Sequence, residues 1–123
     1  MQFANEVRTA RAVALAEKLA GGTLCVRTGE KPAAATDGDA GTEIVSMKLP
    51  EKMTVKDGVL SAVAAPMRGI AAAKGVPGHW RVTKGSKCVA QGSVGVGFPI
   101  PAEEIEQGQM IEMRSWNITE GNI

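Results

Sequence analysis

Residues 79–94 read HWRVTKGSKCVAQGSV, two alternating runs divided by Lys84-Gly85-Ser86. Alternation of this kind is the pattern of a strand with one face in a core and the other outside it. Trp80 and Val82 share one phase, and His79, Arg81 and Thr83 share the other. Setting Thr83 opposite Lys87 brings Val82 against Cys88 and Trp80 against Ala90, so that apolar groups meet as a half-buried antiparallel pair requires. In that register the chain's one histidine, His79, and Cys88 fall on opposite faces and on different rungs. A nucleophile and its base need hydrogen-bond contact. The stretch therefore predicts a hairpin, with Cys88 a small core residue and His79 a partly exposed one. No Ser or Cys elbow occurs elsewhere. The expectation is a protein without enzymatic activity, with no catalytic, cofactor-binding or metal-ligating residue assigned.

The rest of the chain fits a mainly β protein preceded by one helix. Residues 5–20 have the helical period, with Asn5 as N-cap, Glu6 in the first turn and an apolar stripe through Val7, Ala10, Ala14, Leu15 and Leu19. The stripe is expected to pack on the parent sheet, with another subunit as the alternative, and Gly21-Gly22 ends the helix. TLCVRTG and TEIVSMKLP read as strands, the second ending at Pro50. EKPAAATDGDAGT reads as a solvated loop without calcium-loop spacing. Asp57-Gly58 marks a hairpin or bend. MRGIAAAKGVPG is ambiguous between strand and helical turn. GVGFPIPAEEIEQGQ is a proline-interrupted loop with room for one helical turn. MIEMRSWNITEG switches phase near Arg114-Ser115, which predicts a bulge in the last strand. The fold class is an antiparallel β-sandwich, jelly-roll-like, in one domain over 1–123: helix and cap over 1–22, sandwich over 23–123.

Composition excludes several partners. The chain has 14 basic and 13 acidic residues, a balance unlike that of a dedicated nucleic-acid binder. No run approaches the roughly 20 apolar residues of a membrane span. Charges at Glu6, Arg8, Arg11, Glu17 and Lys18 interrupt any signal-peptide core, which predicts a protein kept in the cytoplasm where it is made or released by lysis. Cys25 and Cys88 are expected to be reduced thiols. Two Phe, two Trp and no Tyr leave a core built mostly from small side chains. Trp80, Arg81 and Trp116 are the residue types enriched at interface anchors, while burial in the protein's own core is the first expectation for both tryptophans. Glu103, Glu104 and Glu106 form an acidic cluster that suits a docking surface for a basic partner, paired carboxylates for acid–base chemistry, or a solvated loop. These six are the candidate interface residues.

Three segments carry a resemblance: LAGGTLCVRTGEKPA, HWRVTKGSKCVAQGSVG and IEQGQMIEMRSWNITEGN. Their order is similar to a family of small proteins encoded in the structural-gene clusters of tailed bacteriophages and prophages, in which a GGTLxIYxGxxPA motif, a W-containing hairpin ending GSVG and an SWxITxG strand recur. This sequence has Cys25-Val26-Arg27 where Ile-Tyr is common there, and an FPIPAEEIEQ loop where that family is simpler and more polar. The resemblance implies a virion protein, assembled in the host bacterial cytoplasm. Within that role a capsid decoration (cement) protein is the favoured reading, with the major capsid protein and, as a homo-oligomer, further copies of itself as partners. A tail-, neck- or fibre-associated structural protein and a host-surface binding module are the other roles it leaves open.

Overall fold

The computed structural model describes residues 5–63, 66–95 and 98–119. Helix α1 (Asn5–Leu19) is followed by nine strands: β1 (Thr23–Thr28), β2 (Glu43–Lys48), β3 (Thr54–Lys56), β4 (Val59–Val63), β5 (Met67–Ile70), β6 (Pro77–Lys84), β7 (Lys87–Ser93), β8 (Met110–Met113) and β9 (Trp116–Thr119). They form three antiparallel sheets in the orders β2-β1-β6-β7, β3-β4-β9 and β5-β8. The sheets pack together as in a β-sandwich, so the expected mainly β class with one N-terminal helix is what the chain adopts.

Alternation places Leu24, Val26, Val45, Met47, Trp80, Val82 and Ala90 on the inner face of the four-stranded sheet, all buried. Leu60, Ala62, Trp116 and Ile118 face them from the three-stranded sheet. Three of the chain's four aromatic rings lock the two layers. Trp80 stacks on Phe98 at 5.8 Å, and both meet the edge of Trp116, at 4.9 and 5.3 Å. Such pairs add to what their buried area contributes. Trp80 pairs with Gly92 across the hairpin, and a Cβ on Gly92 would lie 2.6 Å from the indole ring. Glycine at that position is what lets the ring lie flat over the neighbouring strand.

Asp57 and Gly58 both take positive φ, 52° and 77°, between the paired residues Lys56 and Val59. That is the two-residue turn whose twist suits a hairpin. Helix α1 lies over β3 and β4 and reaches β7. Its buried side is Ala12, Ala16 and Leu19, with Leu15 partly buried. The expected stripe is thus corrected: Val7, Ala10 and Ala14 are exposed. Alanine occurs in every helical phase here, so the period alone does not choose a face. The Asn5 cap falls on a side chain outside the described residues.

Two further expectations change. The hairpin turn is two residues, Gly85-Ser86, with Lys84 opposite Lys87 and Thr83 opposite Cys88. A bulge between Val82 and Thr83 then sets Val82 against Ala90 and Trp80 against Gly92. The last strand is two, β8 and β9, broken at Arg114-Ser115 and belonging to different sheets. The phase switch marks a corner where the chain changes layer. The 101–109 segment forms no helical turn; it runs beside 71–75 through mutual hydrogen bonds between Gly75 and Ile105.

Gly92→Ala is expected to lower stability by about 1–3 kcal/mol through overpacking against a ring that cannot retreat. Trp80→Ala is expected to cost roughly 3–5 kcal/mol. Urea denaturation of each variant beside the parent reads both values.

Candidate functional site

The outer face of the four-stranded sheet is where the chain's chemistry-bearing residues gather. Alternation sends Cys25 and Arg27 of β1, His79 and Arg81 of β6, and Gln91 of β7 away from the core. The bulge turns Cys88 to the same side. This face is covered by residues 29–42, the connection between β1 and β2, which fold back across it as a strap. The Arg81 guanidinium, 1% exposed, donates from Nη2 to the carbonyls of Ala35 (2.7 Å) and Asp37 (2.8 Å) and from Nη1 to Asp39 Oδ1 (3.0 Å). Its Nε donates to Cys88 Sγ at 3.2 Å. Arg27 donates to the carbonyls of Ala40 and Gly41, and Gln91 Nε2 to that of Pro32. The loop expected to be solvated is therefore bound along its length by polar side chains. Among the described residues it contributes none of the core's buried apolar side chains.

His79 is fully buried beneath the strap rather than partly exposed. Its Nδ1 lies 2.9 Å from the carbonyl of Gly29, which only accepts, so Nδ1 carries a proton; Nε2 is buried without a partner. Gly78 is glycine because a Cβ there would collide with the backbone of Gly29. His79 and Cys88 share a face after all, but His79 and the residue paired with Cys88, Thr83, are four positions apart on β6. At the usual rise per residue that is about 13 Å, and Arg81 lies between them. The Cys88 thiol donates to the carbonyl of Ala90. Cys25 lies on β1, two strands from β7, a separation of about 10 Å that no disulfide spans. Burial, and then the neighbouring Glu43, push the Cys25 thiol up from 9.0 to about 12. The Cys25 thiol is thereby held in its protonated form, which is not the nucleophilic one.

Trp80 and Trp116 are 4% and 3% exposed, and Arg81 is closed under the strap. The three expected interface anchors are therefore internal parts: two build the aromatic core and one fastens a loop. Glu103, Glu104 and Glu106 are on the surface as expected. Lys74 Nζ reaches Glu104 at 3.1 Å and Glu106 at 3.6 Å. The ammonium holds the Glu104 carboxyl below the ordinary glutamate range, and the carboxylates raise Lys74 in turn. A general acid needs the opposite shift.

Beside these glutamates is a surface the sequence reading did not single out. Strands β5 and β8 form a ribbon whose inner residues pack on β2: a Cβ on Gly69 would strike Met47 and Val45. The outer residues include the cross-strand pair Ile70 and Met110, 63% and 57% exposed, with Arg68 and Glu112 paired on the next rung of that face at 3.4 Å. Val76, also exposed, lies between Gly75, which bridges to Ile105, and the start of β6. The signal was present as Ile70 and Met110, but only register reveals that they are neighbours. A shallow groove of about 230 Å³ separates Met110 and Glu112 from Pro99, Pro101, Glu103 and Glu104. Apolar side chains rimmed by charge mark contact surfaces. Among the described residues no three His, Cys, Asp or Glu side chains converge as metal ligands, and no helix is long and apolar enough to cross a membrane.

Comparison with protein-family profiles, curated proteins and solved structures gave no match to this chain.

Arg81→Met leaves the strap carbonyls and Asp39 without their donor. Amide exchange over residues 29–42 is expected to accelerate at least tenfold while the β6–β7 hairpin stays protected, read by exchange mass spectrometry. Cys25 is expected to resist alkylation at pH 8 until the protein is denatured. A folded pKa raised above the unfolded one stabilises the fold fully below pH 9. That contribution is lost as pH rises toward about 12, which an alkaline denaturation series of the parent and Cys25→Ser separates.

Proposed function

We propose that this chain is a bacteriophage virion structural protein, a decoration (cement) protein that binds over the major capsid lattice. The reading is carried by where the three family-like segments fall in the fold. LAGGTLCVRTGEKPA spans the end of α1, β1 and the start of the strap; HWRVTKGSKCVAQGSVG spans the β6–β7 hairpin; IEQGQMIEMRSWNITEGN spans β8 and β9. The segments are distant in sequence yet supply the central strands of the large sheet and the corner that joins the layers. A resemblance distributed over a framework in this way supports a shared architecture, and with it a shared role in the particle. On this reading the docking surface is the Ile70–Met110 face with the Glu103–Glu106 loop beside it.

Copy number tests the role. Quantitative mass spectrometry of purified particles, scaled to the major capsid protein, is expected to give one copy per capsid subunit or a simple lattice fraction of that. A handful of copies per particle would place the protein at the neck, tail or fibre instead, and absence from the particle would overturn the virion reading. For the surface, Ile70→Lys with Met110→Lys is expected to weaken binding to particles stripped of the protein by more than about tenfold at unchanged thermal stability.

A further inference from the structure

Strand β8 pairs with β5 on one side only. In an antiparallel ladder, rungs whose backbone groups bond across the pair alternate with rungs whose groups point away from it. The amide of Ala71 donates to the carbonyl of Gln109, which fixes the phase. Gly69–Ile111 and Met67–Met113 are then the bonded rungs, and Ile70–Met110 and Arg68–Glu112 are the others. The N–H and C=O groups of Met110 and Glu112 consequently point away from β5. The groove of about 230 Å³ is lined by β8 and by residues of 99–105, and by none of β5, so it runs along this open edge. Its far wall includes Pro99 and Pro101, which have no N–H to offer, and it forms no ladder with β8.

The charge of the groove has one sign. The charged residues that line it are Glu103, Glu104 and Glu112. The neighbouring cations stand outside the lining: Lys74 pairs with Glu104, and Arg68 and Arg114 pair with Glu112. Glu103 has no ion-pair partner among the described residues. Ion pairs this exposed are weak and exchange readily with other cations. The apolar part of the lining includes Ile100, Ile105 and Ile111, all buried.

We propose that this groove takes an extended segment of a partner polypeptide, added as a further strand along β8, in which basic side chains alternate with apolar ones. The outward groups of Met110 and Glu112 supply the main-chain bonds. Successive residues of a strand project to opposite faces. Residues beside Glu112 therefore project toward the carboxylates, and residues beside Ile111 project toward the buried isoleucines. Strand addition draws affinity from the main chain and specificity from alternate side chains. The inference names the kind of partner for the docking surface proposed above and rests on that reading.

An NMR titration of the full chain with the capped peptide acetyl-Lys-Val-Lys-Val-Lys-amide tests it. Amide shifts are expected within residues 99–112, with a Kd on the order of 1 mM, weakened several-fold between about 0.05 and 0.5 M salt. The same peptide with proline for valine keeps the charge but cannot join a ladder, and is expected not to bind. Glu103→Lys is expected to weaken the valine peptide about tenfold at an unchanged melting temperature, and Glu112→Gln gives a second reading of the same dependence. No binding up to about 10 mM, shifts elsewhere in the fold, equal binding of the proline peptide, or indifference to both variants would overturn the proposal. Its failure is distinct from failure of the capsid reading. A chain found on particles whose groove ignores the peptide loses this inference alone. A groove that binds the peptide on a chain absent from particles keeps its chemistry and has a different partner.

Discussion

A guanidinium cannot be closed off from water unless nearly all of its donors find acceptors. Arg81 meets that condition with two carbonyls, one carboxylate and one thiol, three of the four supplied by the strap or its Asp39. The requirement runs both ways. Without the strap, Arg81 and the face around it would be solvated. Without Arg81, the middle of the strap would lose its hold and only the bonds of His79, Gln91 and Arg27 nearer its ends would remain, because it contributes no buried apolar side chain to the core. Strand β6 is thus buried on both faces by different physics. Trp80 and Val82 are held by packing on one side, and His79 and Arg81 by hydrogen bonds on the other. That double burial makes β6 a central strand of the large sheet, with β1 and β7 on its two sides.

Much of this framework was legible in the sequence because alternation reports burial on one face. Leu24, Val26, Trp80 and Val82 sit in the phase their pattern assigns, and Asp57-Gly58 makes the turn its residue types favour. What alternation does not report is the cover on the opposite face. His79 and Arg81 read as outward residues, and they are outward from the core, but a loop of Ala, Gly and Asp closes over them. The acceptors that make this possible are backbone carbonyls, which every sequence carries and no pattern reveals. The register of the β6–β7 hairpin was hidden for a related reason. Val82 opposite Cys88 and Val82 opposite Ala90 both set apolar beside small, so the pattern alone does not choose between a straight and a bulged ladder.

The candidate site was legible in part. The glutamates of 103–106 lie on the surface where a proline-interrupted loop should put them, while Lys74, which organises two of them, lies some 30 positions earlier and is brought close by the Gly75–Ile105 bridge. Trp80 and Trp116 were the residue types of an anchor, but a chain with four aromatic rings and many alanines has few other means of filling the space between two sheets. The core takes the large rings first. What remains for contact is medium-sized: valine, isoleucine and methionine, placed on elements at the margin of the fold.

Those margins are at opposite ends of the large sheet. In the order β2-β1-β6-β7, the ribbon covers β2, where Ala72 donates to the carbonyl of Ile44, and α1 reaches β7, where Lys84 at the end of β6 donates to the carbonyl of Glu17. The Ala72 bond satisfies one acceptor of an edge strand whose unpaired backbone groups would otherwise invite strand pairing with other chains. A thin ribbon and a single helix have no further layer over them, so each leaves apolar side chains in water: Ile70 and Met110 on the ribbon, Val7 and Val13 on the helix.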